Sequence, residues 1–385
     1  MFVSKINTME KQNIKYRRKF SRQLMSLSIR LLQFNLFKGN NRFWINALRH
    51  QSRARRLRLE NDKKGLQVPP VMIFSITNRC NLKCKGCYAN AQERNIKAEM
   101  PSERIKGLFR EASGLGTGII MLAGGEPLLR DDVLDAAAAQ KQTLFPLFTN
   151  GTMLQNGKME LFSKNRNLIP ILSFEGDMLK TDSRRGRGTY DKVMKTASEL
   201  KNRNMFYGMS VTINKYNFEE VMSPEFINDY YEQGCKLFFF VEYVPSCKKD
   251  IDNCLTEDQK KSFMSRLTNL RLVFSSLFIA LPGDEEQYGG CLAAGRGFVH
   301  VSSTGDLEPC PFAPYSDINL SGISLEEGLK SEFLENIRSG HSMLKESQGG
   351  CTLWENREWA EEMLTKTSGK KASIAQNKEY SQITA

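Results

Sequence analysis

The sequence predicts an α/β fold organised on a parallel sheet. Six short segments rich in apolar, β-branched and aromatic residues start 25 to 47 residues apart, and amphipathic stretches fill the intervals. Pro69-Pro70 separates this rhythm from a basic arm, because consecutive prolines cannot continue a helix. Strands are expected at Val71–Thr77, Gly118–Ala123, Thr143–Thr149, Ile169–Phe174, Tyr207–Ile213 and Lys236–Tyr243. The clearest helices are expected at Ser102–Gly114, Asp131–Gln140, Tyr190–Asn202 and Pro224–Glu232. Right-handed crossovers then produce either an open sheet or a partial barrel, with active residues gathered at the carboxyl ends of the strands.

Beyond Thr256 the rhythm is lost. A long helix (Glu257 to Ser275) leads to Phe278–Leu281. A hairpin follows in which Phe298–Ser302 precedes the turn Ser303-Thr304-Gly305-Asp306, and short helices are expected near Leu325–Ile337 and Asn356–Leu364. The organisation reads as an arm (1–69), a strand–helix body (70–245), a C-terminal unit (246–367) and a polar, frayed tail (368–385).

The formal net charge of +12 is concentrated in the arm. Residues 1–64 carry 17 Lys and Arg against Glu10, Glu60 and Asp62, so the other 321 residues are close to neutral. Tyr16, Phe20, Leu24, Leu27, Leu31 and Phe34 recur at helical spacing between basic residues. Such a helix either docks on the body with its charges solvated or lies on an anionic lipid surface. Nucleic acid is a poor partner, since the arm has too few aromatic residues for a stacking platform. The longest apolar runs, such as Leu237–Tyr243, fall far short of the about 20 residues of a spanning helix, and no leader pattern opens the chain. The expected location is the cytoplasm, with the inner membrane face as a peripheral alternative.

Nine cysteines are an odd number for a disulfide framework, and Cys80, Cys84 and Cys87 crowd into eight residues directly after the first strand. Three thiolates can hold three irons of a [4Fe-4S] cube and leave the fourth iron open, whereas a structural zinc would need a distant fourth ligand. None of the histidines, His50, His300 and His341, is expected in the barrel, which argues against imidazole-based hydrolysis.

The segment Thr77-Asn78-Arg79-Cys80-Asn81-Leu82-Lys83-Cys84-Lys85-Gly86-Cys87-Tyr88 resembles the signature of the radical S-adenosylmethionine (AdoMet) superfamily, and the likeness extends over about residues 70–245. It implies a partial (β/α)6 TIM-like barrel, a [4Fe-4S] cluster on the three cysteines and AdoMet on the open iron. Reductive cleavage of AdoMet would then yield a 5′-deoxyadenosyl radical that abstracts a substrate hydrogen, with an electron donor such as ferredoxin or flavodoxin.

The same resemblance places Gly124-Gly125-Glu126-Pro127 against the methionine ammonium group and Ser173 and Glu175 against the ribose. It places Tyr88 and Asn150 near the AdoMet site, Arg185 or Arg187 at the AdoMet carboxylate, and Val211 and Asn214 beside the adenine and ribose. A plain turn at Asn150, a solvated loop at the arginines and core packing at Val211 stand as alternatives.

Cys291, Gly305 and Cys310 resemble the opening of the SPASM and twitch auxiliary-cluster domains. With Cys351 they imply one auxiliary [4Fe-4S] cluster, whose fourth iron is open to substrate or takes Cys235, Cys247 or Cys254. A zinc knuckle is the competing reading. Cys235 is expected in the core, and Glu242, in an otherwise apolar strand, is expected to point into the barrel. The substrate is a peptide or protein, a small molecule, or a lipid-linked molecule reached through the arm. The non-catalytic alternative is an iron-sulfur or zinc electron-transfer module.

Overall fold

The computed structural model describes residues 15–16, 18–26, 29–30, 41–92, 98–154, 157–245, 248–283, 285–341, 344 and 351–368. Leu27, Leu31, Phe34 and Cys247, and all of the expected tail except Ser368, lie outside the described residues.

Nine strands form one curled sheet: β1 (Val71–Ser75), β2 (Ile119–Ala123), β3 (Phe145–Thr149), β4 (Leu168–Phe174), β5 (Gly208–Ile213), β6 (Leu237–Glu242), β7 (Leu277–Leu281), β8 (Phe298–Val301) and β9 (Leu307–Glu308). Their order is β7-β6-β5-β4-β3-β2-β1-β8-β9, parallel throughout except for antiparallel β9. The first six match the expected strands to within two residues at each end. They form a partial TIM-like barrel.

Two features of the C-terminal half depart from the expectation. The strand–helix rhythm runs for one more unit, since β7 pairs with β6 in parallel. The hairpin strand β8 also pairs with β1 in parallel, so segments from 246–367 extend the sheet on both sides of the six strands. Short strand length and the adjacent Pro282-Gly283 hid the seventh repeat in the sequence.

The crossover helices are α1 (Asn41–Lys63, preceding β1), α2 (Ser102–Leu115), α3 (Asp131–Ala139), α4 (Lys158–Lys164), α5 (Met178–Arg185), α6 (Thr189–Asn202), α7 (Pro224–Glu232) and α8 (Glu257–Val273). Local chemistry sets their ends. Ser223 caps α7 ahead of Pro224, a capping box of Thr256 and Gln259 opens α8, and Gly116 closes α2 at φ +112°. The helix expected across Leu325–Ile337 is divided into α9 (Leu325–Gly328) and α10 (Glu332–Gly340). Ser331 caps the second by accepting from the Leu334 amide while donating to Asp317.

Alternation along each strand sorts the apolar residues into two sets. Met72, Phe74, Leu122, Leu147, Phe174, Val211 and Phe238 point outward and fill the layer beneath the helices. Residues of opposite parity, among them Ile169, Ile171, Leu237 and Phe239, point inward.

Helix α1 closes the amino end of the barrel. Trp44, Ala47, Gln51, Ala54 and Arg58 recur at three- and four-residue intervals and are buried. Trp44 meets Phe206 edge to face, Gln51 Nε2 donates to the Gly118 carbonyl at 2.8 Å, and Arg58 Nη1 donates to the Gly116 carbonyl. The shorter helical segment before it packs on the connection from β7 to β8. Phe20 stacks edge to face on Tyr288, and Lys19 donates to the Gln287 carbonyl at 2.9 Å.

Trp44→Ala should therefore cost about 3–5 kcal/mol, whereas Ile45→Ala, at a neighbouring exposed position, should stay within about 0.5 kcal/mol. Denaturant unfolding of the two variants checks the contrast. Equal losses would remove the plug assigned to α1.

Candidate functional site

The carboxyl ends of the strands open into a cavity of about 860 Å³. Its lower tier is apolar and includes Ile73, Met121, Phe148, Ile169 and Phe239. Its upper tier carries Cys80, Cys84, Cys87, Glu126, Ser173 and Thr212. Both cysteine groups lie on it, because Cys291, Cys310 and Cys351 line the same wall.

The loop after β1 is held by backbone. Gly125 N donates to the Thr77 carbonyl at 2.7 Å and Glu126 N to the Arg79 carbonyl at 2.8 Å. A β-carbon on Gly124 would overlap the Thr77 carbonyl oxygen, and one on Gly125 the Arg79 carbonyl oxygen. Glycine is required here by the approach of two protein backbones, whatever else binds above them.

Glu99 and Arg130 fix the start of the same loop. Glu99 Oε1 accepts from Thr77 Oγ1 at 2.9 Å and from the Asn78 amide at 2.8 Å, and Arg130 Nη1 donates to the Ile76 carbonyl at 3.0 Å. Further along, Lys85 N donates to the Arg184 carbonyl, and Gly86, at φ +62°, lies under the Tyr243 hydroxyl with no room for a side chain.

Glu126 is 1% exposed and its carboxylate is engaged by Thr149 Oγ1 at 2.7 Å, the Asn150 amide at 2.8 Å and the Leu128 amide at 3.0 Å. Burial raises its pKa, and these three donors pull the other way without cancelling the rise. The carboxylate thus ties the end of β2 to the end of β3. Asn150 Nδ2 continues the chain to Asn81 Oδ1 at 2.8 Å, inside the cysteine loop.

Glu175 binds both arginines of the following helix through one oxygen, Arg184 Nη1 at 2.5 Å and Arg185 Nε at 2.7 Å. Its other oxygen is buried without a protein donor. Burial disfavours the Arg184 charge, but Glu175 overrides this and raises its pKa.

Of the residues expected around AdoMet, Tyr88, Gly124, Gly125, Glu126, Asn150, Ser173 and Arg185 are on the cavity wall. Five stand off it. Pro127 is buried in the turn after β2, and Glu175 lies behind its arginines. Val211 faces the outer core, Arg187 is exposed, and Asn214 Oδ1 caps its own loop by accepting from the Tyr216 and Asn217 amides.

Strand parity explains Val211: its neighbours Ser210 and Thr212 are the inward groups, and Arg184 donates to Thr212 Oγ1 at 3.0 Å. These two hydroxyls, with Arg184, Glu99, Arg130 and Tyr243, were not singled out from the sequence. Ser210 and Thr212 had a readable signal, polar residues two apart in an apolar strand.

All six site cysteines are free thiols. Burial raises the pKa of Cys80 and Cys84. It likewise raises Cys291, and the hydrogen bond with Cys351, followed by burial, raises Cys310. Cys235 is buried in the core with its pKa pushed up to about 12, and Cys254 is buried near the Tyr243 carbonyl with its pKa pushed up to about 11.

The donor set fits the expected cofactor. Among the described residues no three His, Cys, Asp or Glu side chains converge on a single ion. The three thiols of the β1 loop instead line a space beside a polar shelf, as ligands to separate corners of a cluster must. Metal binding would release the protons that burial retains on Cys80 and Cys84.

His300 corrects the expectation that no histidine belongs to the barrel. It stands in β8, with Nε2 2.8 Å from Ser75 Oγ and Nδ1 2.7 Å from Glu308 Oε2. It is not part of the cavity wall, and its bonds join β1, β8 and β9.

Residues 74–223 match the family model described as the Radical SAM superfamily. The Fe-coproporphyrin III synthase of Methanosarcina barkeri is 30% identical over 168 residues, 43% of this chain and 41% of that protein. The AdoMet-dependent heme synthase of the same organism is 26% identical over 272 residues, 64% of this chain and 78% of that protein. The chain thus spans less than half the length of the first of these relatives. Among solved structures, Streptococcus suis SuiB bound to its precursor peptide SuiA superposes with a TM-score of 0.58. The sequences are 18% identical, and the match covers 79% of this chain and 74% of SuiB, a likeness of fold.

Residues 74–223 thus carry the likeness to the radical SAM superfamily, whose enzymes use a [4Fe-4S] cluster and AdoMet. Among the described residues no helix is long and apolar enough to cross a membrane.

The glycine contact generates a test. Gly125→Ala should displace the Cys80 loop and lower iron incorporation, while Gly114→Ala, where a β-carbon meets open space, should not. Iron and sulfide analysis of the two proteins checks it. Equal iron in both would mean that the loop does not depend on this approach.

Proposed function

We propose that this chain is a radical AdoMet enzyme: Cys80, Cys84 and Cys87 would hold a [4Fe-4S] cluster, and the chemistry supplied when it is bound would be reductive cleavage of AdoMet and hydrogen abstraction from a substrate in the same cavity. The observation that carries the reading is the opening of three loop thiols, a glycine turn and a shelf of inward polar groups onto one space.

In this reading the chain's own groups position and exclude. Gly124 and Gly125 offer backbone at the rim of the loop, and Glu126, already oriented by Thr149 and Asn150, faces the methionine ammonium. Ser173, Ser210 and Thr212 offer hydroxyls to the ribose, and Arg185 meets the carboxylate. Tyr88 and Asn150 border the nucleotide. Glu175 serves as a positioning residue that aims both arginines, and the apolar lower tier keeps water away from a reactive intermediate.

Cys291, Cys310 and Cys351 hold a second, auxiliary [4Fe-4S] cluster within the unit 246–367, and a one-electron donor of the ferredoxin or flavodoxin type supplies reducing equivalents. The relatives named for heme and coproporphyrin, and SuiB with its bound peptide, leave both small molecules and peptides open as substrates. The setting is the cytoplasm. A lipid-facing arm rests on the cationic outer face of α1, where Arg49, Arg53 and Arg56 are exposed, since the apolar face is spent on the barrel.

Anaerobic protein reconstituted with iron and sulfide, reduced with dithionite and given AdoMet should release 5′-deoxyadenosine. Cys84→Ala should reduce this to background, and Cys351→Ala should lower bound iron while retaining release. Absence of 5′-deoxyadenosine from the unaltered protein would leave an electron-transfer module as the better reading.

A further inference from the structure

The arm supplies part of the cavity wall. Phe20, Gln23 and Leu24 line it from within the helical segment, and Lys19, Arg22 and Arg30 line it from the exposed side. This segment rests on the β7–β8 connection, which spans the opening of the curled sheet. Tyr16 lies against Gly289, Phe20 against Gly297 and Tyr288, and the Tyr288 hydroxyl donates to Gln23. The helix is therefore a strap across the open side of the cavity.

Its charges differ in situation from the others on the wall. Arg184 and Arg185 are paired with Glu175, Arg271 donates to the Phe278 carbonyl, and Glu126 accepts from three donors, Arg185 and Glu126 being assigned above to AdoMet. Glu242 and Glu285 are the remaining acidic groups on the wall and are buried. Lys19 donates one hydrogen bond to a carbonyl, which leaves its charge intact, and Arg22 and Arg30 are exposed. An apolar interior thus ends at a cationic rim contributed by the arm.

We infer that the arm selects the substrate, and that the substrate is a compact apolar molecule bearing carboxylates, its body in the lower tier and its carboxylates at Lys19, Arg22 and Arg30. This deepens the radical AdoMet reading and rests on it. Carboxylates at such a rim gain charge-assisted hydrogen bonds, and a cleft of one sign concentrates ligands of the other. Compactness follows from the strap, since an extended peptide would have to displace it.

The test measures binding of a tetracarboxylate porphyrin and of its tetramethyl ester to the reconstituted full chain with AdoMet present, by shifts in porphyrin absorbance. The acid should bind at least tenfold more tightly than the ester. Lys19→Glu/Arg22→Glu/Arg30→Glu should erase that preference, with an unfolding midpoint near that of the unaltered protein. Arg49→Glu/Arg53→Glu/Arg56→Glu, the same change of net charge on the outer face of α1, should preserve it.

No preference for acid over ester, equal losses in both triple variants, or tighter binding of an acidic peptide than of the porphyrin would each overturn the inference. Release of 5′-deoxyadenosine is scored separately on the unaltered protein, so failure of the arm's role is distinguishable from failure of the radical reading.

Discussion

Two stretches of backbone meet at the carboxyl end of the sheet, and the site is built outward from that meeting. The turn after β2 donates its Gly125 and Glu126 amides to carbonyls of the loop after β1, at a separation that admits no β-carbon. A loop with three cysteines has little reason to hold one shape unaided, because its thiols favour no particular partner without metal. Here its first residues become an added layer on the adjacent turn, so the rigidity of a parallel sheet passes directly to Cys80.

The same meeting explains the burial of Glu126. Its amide serves the cysteine loop, and its carboxylate reaches across to Thr149 and the Asn150 amide on β3, while Asn150 returns to Asn81 in the cysteine loop. The circuit closes through three strand ends. A buried carboxylate without these donors would be costly, and with them it holds the strand ends in register. Asn150, which the sequence allowed to be a mere turn residue, is a joint in this circuit.

Much of this was legible before any coordinates. Strand positions followed from short apolar segments separated by amphipathic ones, the first cysteine group from its spacing, and the second from a resemblance. What the sequence concealed was mainly a matter of side. The resemblance implied Val211 beside the adenine, yet strand alternation turns Val211 toward the helices and Ser210 and Thr212 toward the cavity. Glu99 and Arg130 lie outside the motif and act through three-dimensional proximity to it, which no local pattern records. The seventh strand was hidden because a five-residue segment running directly into Pro282 carries too little pattern to be read as a strand until its partner β6 is beside it.

The distance between the two cysteine groups is a property of the sheet. Cys80 follows β1 and Cys310 follows β9, and β8 lies between those strands, bonded to both. Ser75 at the end of β1, His300 on β8 and Glu308 at the end of β9 form one buried hydrogen-bonded line across them. Each end of that line lies a few residues before a cysteine, Cys80 after Ser75 and Cys310 after Glu308, so the buried bonds tie the strand ends that lead into the two groups. The arm, added across the one side that the sheet leaves open, contributes what the strands do not: cations at the rim of an otherwise apolar space.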